Sequence, residues 1–164
     1  CRRIEAGLLS ASQDFTQTTT PFAVGLARFI DFEKGDFVGR TALMAADKQC
    51  RSWGIRVEGG TAVRGDTLEK SGQPIGRVTS STWSPFQACG VGIVHLNNTH
   101  LGPGAVVDVQ CTDGTLHRGE LCTLPMYDPK GEIVRGINKV IPTEPEPWAG
   151  IPVTTNTQAN AETT

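Results

Sequence analysis

After residue 50 the chain breaks into short apolar runs whose side chains alternate, and this pattern restricts the fold more than any other feature of the sequence. In "SWGIRVEG", Trp53, Ile55 and Val57 fall on one side of an extended segment, with Gly54, Arg56 and Glu58 on the other. That is the period of a strand with one buried face. Comparable runs follow at "PIGRVTSSTW", "CGVGIVHL", "AVVDVQC" and "TLHRGELCTL", separated by the turn-rich stretches "EKSGQ", "NNTHLGPG" and "TDG". Strands this short hide their edges best by closing on themselves, so the pattern predicts a mainly β fold. The expected architecture is a small antiparallel barrel of about six strands, Greek-key or jelly-roll-like. The clearest hairpin is "VVDVQC-TDG-TLHRGEL", with Asp113 and Gly114 in its turn.

The residues before this pattern read differently. Thr20 and Pro21 resemble an N-cap followed by proline at the first helical position, and Phe22, Gly25, Leu26 and Phe29 follow at helical spacing. A second helical stretch is expected over residues 38–48, with Leu43 and Met44 on its apolar side and Asp36 as a cap. The organisation predicted is therefore helix and connection over 1–48, the barrel over 49–142, and an extended or disordered tail over 143–164. In that tail Trp148 is placed to dock on the barrel, and residues beyond Val153 lack the means to build a core.

Composition removes several function classes. A chain of 164 residues suffices for one ordinary domain. A net charge of −2 with acids and bases interspersed supplies no basic stripe for a phosphate backbone, so nucleic acid is not an expected partner. No apolar run reaches the roughly 20 residues that span a bilayer, and the first residues lack the regions of a secretory signal. No membrane association and a cytoplasmic location are the expectations. The five cysteines lie far apart, outside metal-ligand spacing, and read as small buried hydrophobes. His95, His100 and His117 show no paired spacing, so no metal site is expected.

Five motifs in order carry a resemblance. "RIEAGLL" (3–9), "TPFAVGL" (20–26), "GDFVGRTAL" (35–43), "GQPIGRVTSSTWSP" (72–85) and "LPMYDP" (124–129) are together similar to the C-terminal part of the glycine-cleavage T-protein family, the aminomethyltransferases and related tetrahydrofolate-dependent demethylases. The form "Y-D-P" is closer to the dimethylglycine and sarcosine dehydrogenase or demethylase branches. The resemblance implies a longer enzyme, with residues 1–48 left from a folate-binding domain and the essential aspartate upstream of residue 1. No catalytic residue is therefore expected here, and the chain alone is expected to be inactive. Implied partners are tetrahydrofolate and a small methylated substrate, bound through the remaining domains. Apolar residues left short of cover, such as Leu8, Phe22 and Phe29, suggest self-association. The alternative is a non-catalytic β-barrel that binds a protein or nucleic acid.

The same resemblance nominates cofactor-binding residues. Arg3 and Glu5, read as alternate positions on a strand, would share one side at the mouth of a folate channel, the arginine facing the cofactor's glutamate tail and the carboxylate a polar ring edge. Tyr127 and Arg135 form the second group, since family members return such residues toward the channel. The family usually carries a "Y-G" pair where this chain has Ala11 and Ser12, ahead of Gln13 and Asp14. Local chemistry gives structural roles to the other motifs: "KGDFVGR" as a joint between layers, Thr79 to Ser84 as a serine-rich exit from a strand, and Asp128–Pro129 as a type I turn.

Overall fold

The computed structural model describes residues 1–97, 100–140 and 143–152. Its centre is a closed antiparallel barrel of strands β1 (Ser52–Val57), β2 (Thr67–Lys70), β3 (Gln73–Ser84), β4 (Cys89–Leu96), β5 (Val106–Gln110) and β6 (Leu116–Cys122). Around the barrel the order is β1-β4-β3-β2-β5-β6, closed by the pairing of β6 with β1. The meander β2-β3-β4 with β1 returned beside β4 is a Greek key.

Alternation produces the core as expected. Ile55, Val57, Leu68, Val78, Val94, Leu96, Val107, Val109 and Leu121 fill the barrel and are almost fully buried. Ile55 pairs with Gly92 on one side and Leu121 on the other, and a side-chain carbon added at Gly119 would lie 2.7 Å from Ile55 Cδ1. The barrel is narrow, and Gly92 and Gly119 make room for one large aliphatic side chain. The β5–β6 hairpin turns where expected: Gly114 is left-handed at φ 87° and the Asp113 carboxylate accepts the Thr115 N–H at 2.9 Å.

Strand β2 departs from the expectation, which placed Glu69 and Lys70 in a turn. Its sequence "TLEK" has one apolar residue, the fully buried Leu68, and a bulge between Leu68 and Glu69 interrupts its pairing with β3. One residue cannot display a period.

The outer face of β4 is covered as well. Cys89, Val91 and Ile93 pack with Ile4, Leu9, Leu124, Met126 and Trp148. Trp148 docks as anticipated, its N–H donating to the Gln87 carbonyl at 2.7 Å. The expectation for residues beyond Val153 lies outside the described residues.

The first 48 residues contain less helix than their pattern suggested. Helix α1 spans Arg2–Glu5 and α2 spans Arg40–Ala45, with a short 3-10 turn at Ala27–Phe29. Thr20 Oγ1 does accept the Ala23 N–H at 3.2 Å, but Gly25, at φ 74°, leaves the helical region and ends the segment. Helix α2 begins at Gly39 rather than under an Asp36 cap and stops at the extended Ala46. Phe22, expected to lack cover, is 5% exposed and lies beneath the Lys48 ammonium, 4.2 Å from its ring centroid. Leu8 and Phe29 are exposed as anticipated.

Cys89, Cys111 and Cys122 are buried, whereas Cys1 is exposed and Cys50 half-buried, and all five are free thiols. Burial pushes the Cys122 thiol up to about 11, so it stays protonated and inert. Among the described residues no helix is long and apolar enough to cross a membrane, and no cluster of ligating side chains could hold a metal.

Candidate functional site

Strand β3 anchors the amino-terminal segment through two carboxylates. Near its middle the register with β4 shifts between Val78 and Ser80, leaving Thr79 as an extra residue. In a regular strand neighbouring side chains point to opposite faces, and a bulge removes that constraint. Both the Thr79 and Ser80 hydroxyls consequently donate to Oδ1 of Asp14, each at 2.7 Å. Oδ2 accepts from the Ser10 N–H and from Arg3, each at 2.8 Å. Asp14 is 3% exposed. Burial pushes its carboxyl pKa upward, but the bonds from Thr79, Ser80, Ser10 and Arg3 outweigh that push and hold it below the ordinary carboxylate range.

The second anchor lies at the far end of β3. Ser84 donates its hydroxyl to Glu5 and accepts the Gln87 N–H at 3.0 Å, while Gln87 Oε1 accepts from Arg56 Nε at 2.7 Å. The Glu5 carbonyl accepts the Met126 N–H at 2.7 Å and the Tyr127 N–H at 3.3 Å. These bonds bring Glu5 and Tyr127 together, and the Tyr127 ring meets Phe86 edge-on at 5.3 Å.

Arg3 and Glu5 sit on helix α1 rather than on a strand, so two residues' separation sends them apart. Arg3 goes to Asp14 and the Leu8 carbonyl, and Glu5 to Ser84. Arg135 is exposed and closes its own loop, donating to the carbonyls of Gly131, at 2.9 Å, and Lys130. That loop contains the anticipated turn: the Gly131 N–H returns to the Asp128 carbonyl at 2.8 Å, and the Asp128 carboxylate caps the N–H groups of Glu132 and Ile133.

Sequence reasoning missed Asp14 as a hub. The hydroxyls of Thr79 and Ser80 were visible as a cluster, yet nothing local couples them to a carboxylate 65 residues away. At the Ala11–Ser12 departure, Ser12 stands at φ 67°, in the region glycine tolerates best.

Beside these anchors runs an apolar groove of about 610 Å³, with walls that include Leu8, Phe15, Leu26, Phe29, Trp53 and Leu124. Arg28 also lines it, its guanidinium 4.9 Å from the Phe29 ring centroid. The buried indole N–H of Trp53 has no hydrogen-bond partner among the described residues. A groove with aromatic walls and a guanidinium suits a flat heteroaromatic ligand with an anionic end.

Comparison with known proteins agrees with this architecture. Residues 51–128 match the family described as the glycine cleavage T-protein C-terminal barrel domain. An aminomethyltransferase of Streptomyces coelicolor is 34% identical over 136 residues, covering 76% of this chain and 36% of the relative. One from Thermosynechococcus vestitus is 38% identical over 114 residues, 66% of this chain and 31% of the relative. A dimethylsulfoniopropionate demethylase of Ruegeria pomeroyi is 32% identical over 117 residues, 68% of this chain and 32% of the relative. The crystal structure of the glycine cleavage system aminomethyltransferase T from Bartonella henselae superposes with a TM-score of 0.68 at 24% identity, covering 77% of this chain and 37% of that one. The chain spans about a third of the length of the curated relatives it matches. The closed six-strand barrel and the relatives that share it place this chain in the glycine-cleavage T-protein family, of which it carries the C-terminal barrel domain.

Proposed function

We propose that the chain forms the barrel-bearing part of an enzyme that moves a one-carbon unit from a methylated or aminomethylated donor to tetrahydrofolate. The observation that carries this reading is the groove lined by Leu8, Phe15, Phe29 and Trp53 beside the Glu5–Tyr127 junction, in a chain whose relatives are named aminomethyltransferases and a demethylase. Tetrahydrofolate, when bound, supplies the nucleophilic N5 that accepts the one-carbon unit.

The chain's own contribution is positional. The aromatic walls hold a flat ring system and exclude water from it, which is how binding sites turn two reactants into neighbours. Glu5 and Tyr127 offer a polar pair joined through the Glu5 carbonyl and the Tyr127 N–H. Arg3 and Arg135 lie outside the groove lining but each keep guanidinium nitrogens beyond those committed to their partners among the described residues, and with Arg28 on the groove wall these suit the carboxylates of a glutamate tail. Glu5 and Asp14 are both tied to β3 by hydroxyls, so neither is offered as the group that manages the proton. That group is assigned to another part of the enzyme, and the chain alone is expected to show no turnover.

The test is calorimetric titration with tetrahydrofolate, on this chain and on any longer polypeptide that carries it. Phe29→Ser, at an exposed position on the groove wall, is expected to weaken binding by about fivefold, roughly 1 kcal/mol. Absence of binding to either polypeptide contradicts the reading. A response to single-stranded RNA that falls steeply with salt, without any to folate, favours a nucleic-acid module instead.

A further inference from the structure

On the outer surface of the barrel three strands bring Ser52, His95 and Arg77 into one rung: His95 on β4 lies opposite Ser52 on β1 and opposite Arg77 on β3. A guanidinium therefore stands beside an imidazole, and like charges facing each other across strands destabilise a sheet. Ser52 Oγ lies 3.1 Å from His95 Nδ1, which fixes the ring and leaves Nε2 for another partner.

Arg77 and His95 of this rung line a cleft of about 350 Å³, closed by residues 13–20 and 47–51, which add Arg51 and the side chains of Thr16, Thr18 and Thr20. The carboxylates in the cleft are already engaged. Asp14 is satisfied by Arg3, Thr79, Ser80 and the Ser10 N–H. Asp47 accepts from Arg51 at 2.6 Å and from the Gln49 N–H at 2.9 Å. Arg77 is exposed and has no ion-pair partner among the described residues. A cleft with hydroxyl walls and an uncompensated guanidinium is complementary to a small anion.

We propose that this cleft binds the oxyanion of a small polar metabolite, a carboxylate or a phosphate monoester, with Arg77 as counter-ion and His95 Nε2 as a second donor. The threonine hydroxyls take the polar body of the ligand. The cleft shares Phe15 with the apolar groove, and Ser52, which fixes His95, lines that groove; the proposal rests on Arg77 and His95 and not on the transferase reading. Burial, then Arg77 and Arg51, hold the His95 pKa below its ordinary value. The charged groups facing the ring are Arg77 from β3, Arg51 ahead of β1, and Asp14 and Asp47 from the two covering segments. An anion seated between them opposes the push of the arginines and raises the imidazole pKa.

The experiment is a pH titration of the histidine ring resonances of the 164-residue chain in sodium acetate, inorganic phosphate or sodium chloride at equal ionic strength, with exposed His100 as internal reference. The proposal predicts that acetate or phosphate raises the His95 pKa relative to chloride while His100 is unmoved. It also predicts that Arg77→Gln weakens the effective anion by about tenfold and raises the anion-free His95 pKa. Acetate acting alone identifies a carboxylate ligand, phosphate acting alone a phosphate ester, and either supports the site. If both anions reproduce the chloride curve, or if folded Arg77→Gln binds them as tightly as the unaltered chain, the proposal is overturned.

Discussion

The barrel and the segment that precedes it are held by different forces. Between residues 52 and 122 the strands close around aliphatic side chains that meet no water, and their backbone groups pair with one another. The first 48 residues bury Ile4 and Phe22 but leave Leu8, Phe29, Val38 and Met44 exposed, and they attach to the barrel through Ile4 and Leu9 on β4 and through the carboxylates of Asp14 and Glu5 on β3. Apolar burial is insensitive to protons, whereas a carboxylate anchor is not. The difference teaches that part of the segment's docking is titratable, whereas the barrel interior is not.

The largest effect is expected inside the barrel. Ile55→Ala removes the side chain accommodated by Gly92 and Gly119, and it should cost about 4 kcal/mol in urea unfolding, with the whole chain melting together. Asp14→Ala comes next, at about 2 kcal/mol, because Arg3 loses its counter-ion and the Ser10 N–H its acceptor, while Thr79 and Ser80 fall back on the Ile93 carbonyl and Gln13 Oε1. Here amide exchange should speed up around Ser10 and Asp14 while β4 and β6 stay protected. Equal loss of protection in both regions would erase the distinction.

Acid sharpens the same contrast. The Asp14 pKa is depressed in the folded chain, so its contribution is fully present above the unfolded value of 3.8 and is lost as pH falls through the lower folded value. Stability measured across that window should decline for the natural chain and more gently for Asp14→Asn. Ser84→Ala should cost about 1 kcal/mol, since Glu5 and the Gln87 N–H both lose a partner. Val38→Ser, at a fully exposed position, should change stability by less than about 0.5 kcal/mol.

Legibility followed the same division. Strand β1 announced itself because Trp53, Ile55 and Val57 repeat a period, β4 because it is a short apolar run buried on both faces, and the β5–β6 turn because Asp113 and Gly114 suit its backbone. Strand β2 was hidden because Leu68 is its single apolar residue. Helix α1 was mistaken for a strand, since four residues, "RRIE", are too short to show which period they obey. The Asp14 anchor depends on a bulge in a strand 65 residues away, and a bulge leaves no mark in the pattern of a single sequence. The five ordered motifs supplied the family, and geometry then added the groove and the polar cleft.

The most direct test of the proposed function is amide hydrogen exchange of the chain with and without tetrahydrofolate. The account predicts slowed exchange at residues 6–9, 24–29 and 123–124, which border the apolar groove, with β5 unchanged. Saturating tetrahydrofolate that leaves those three stretches unprotected, or that protects β5 instead, would contradict it.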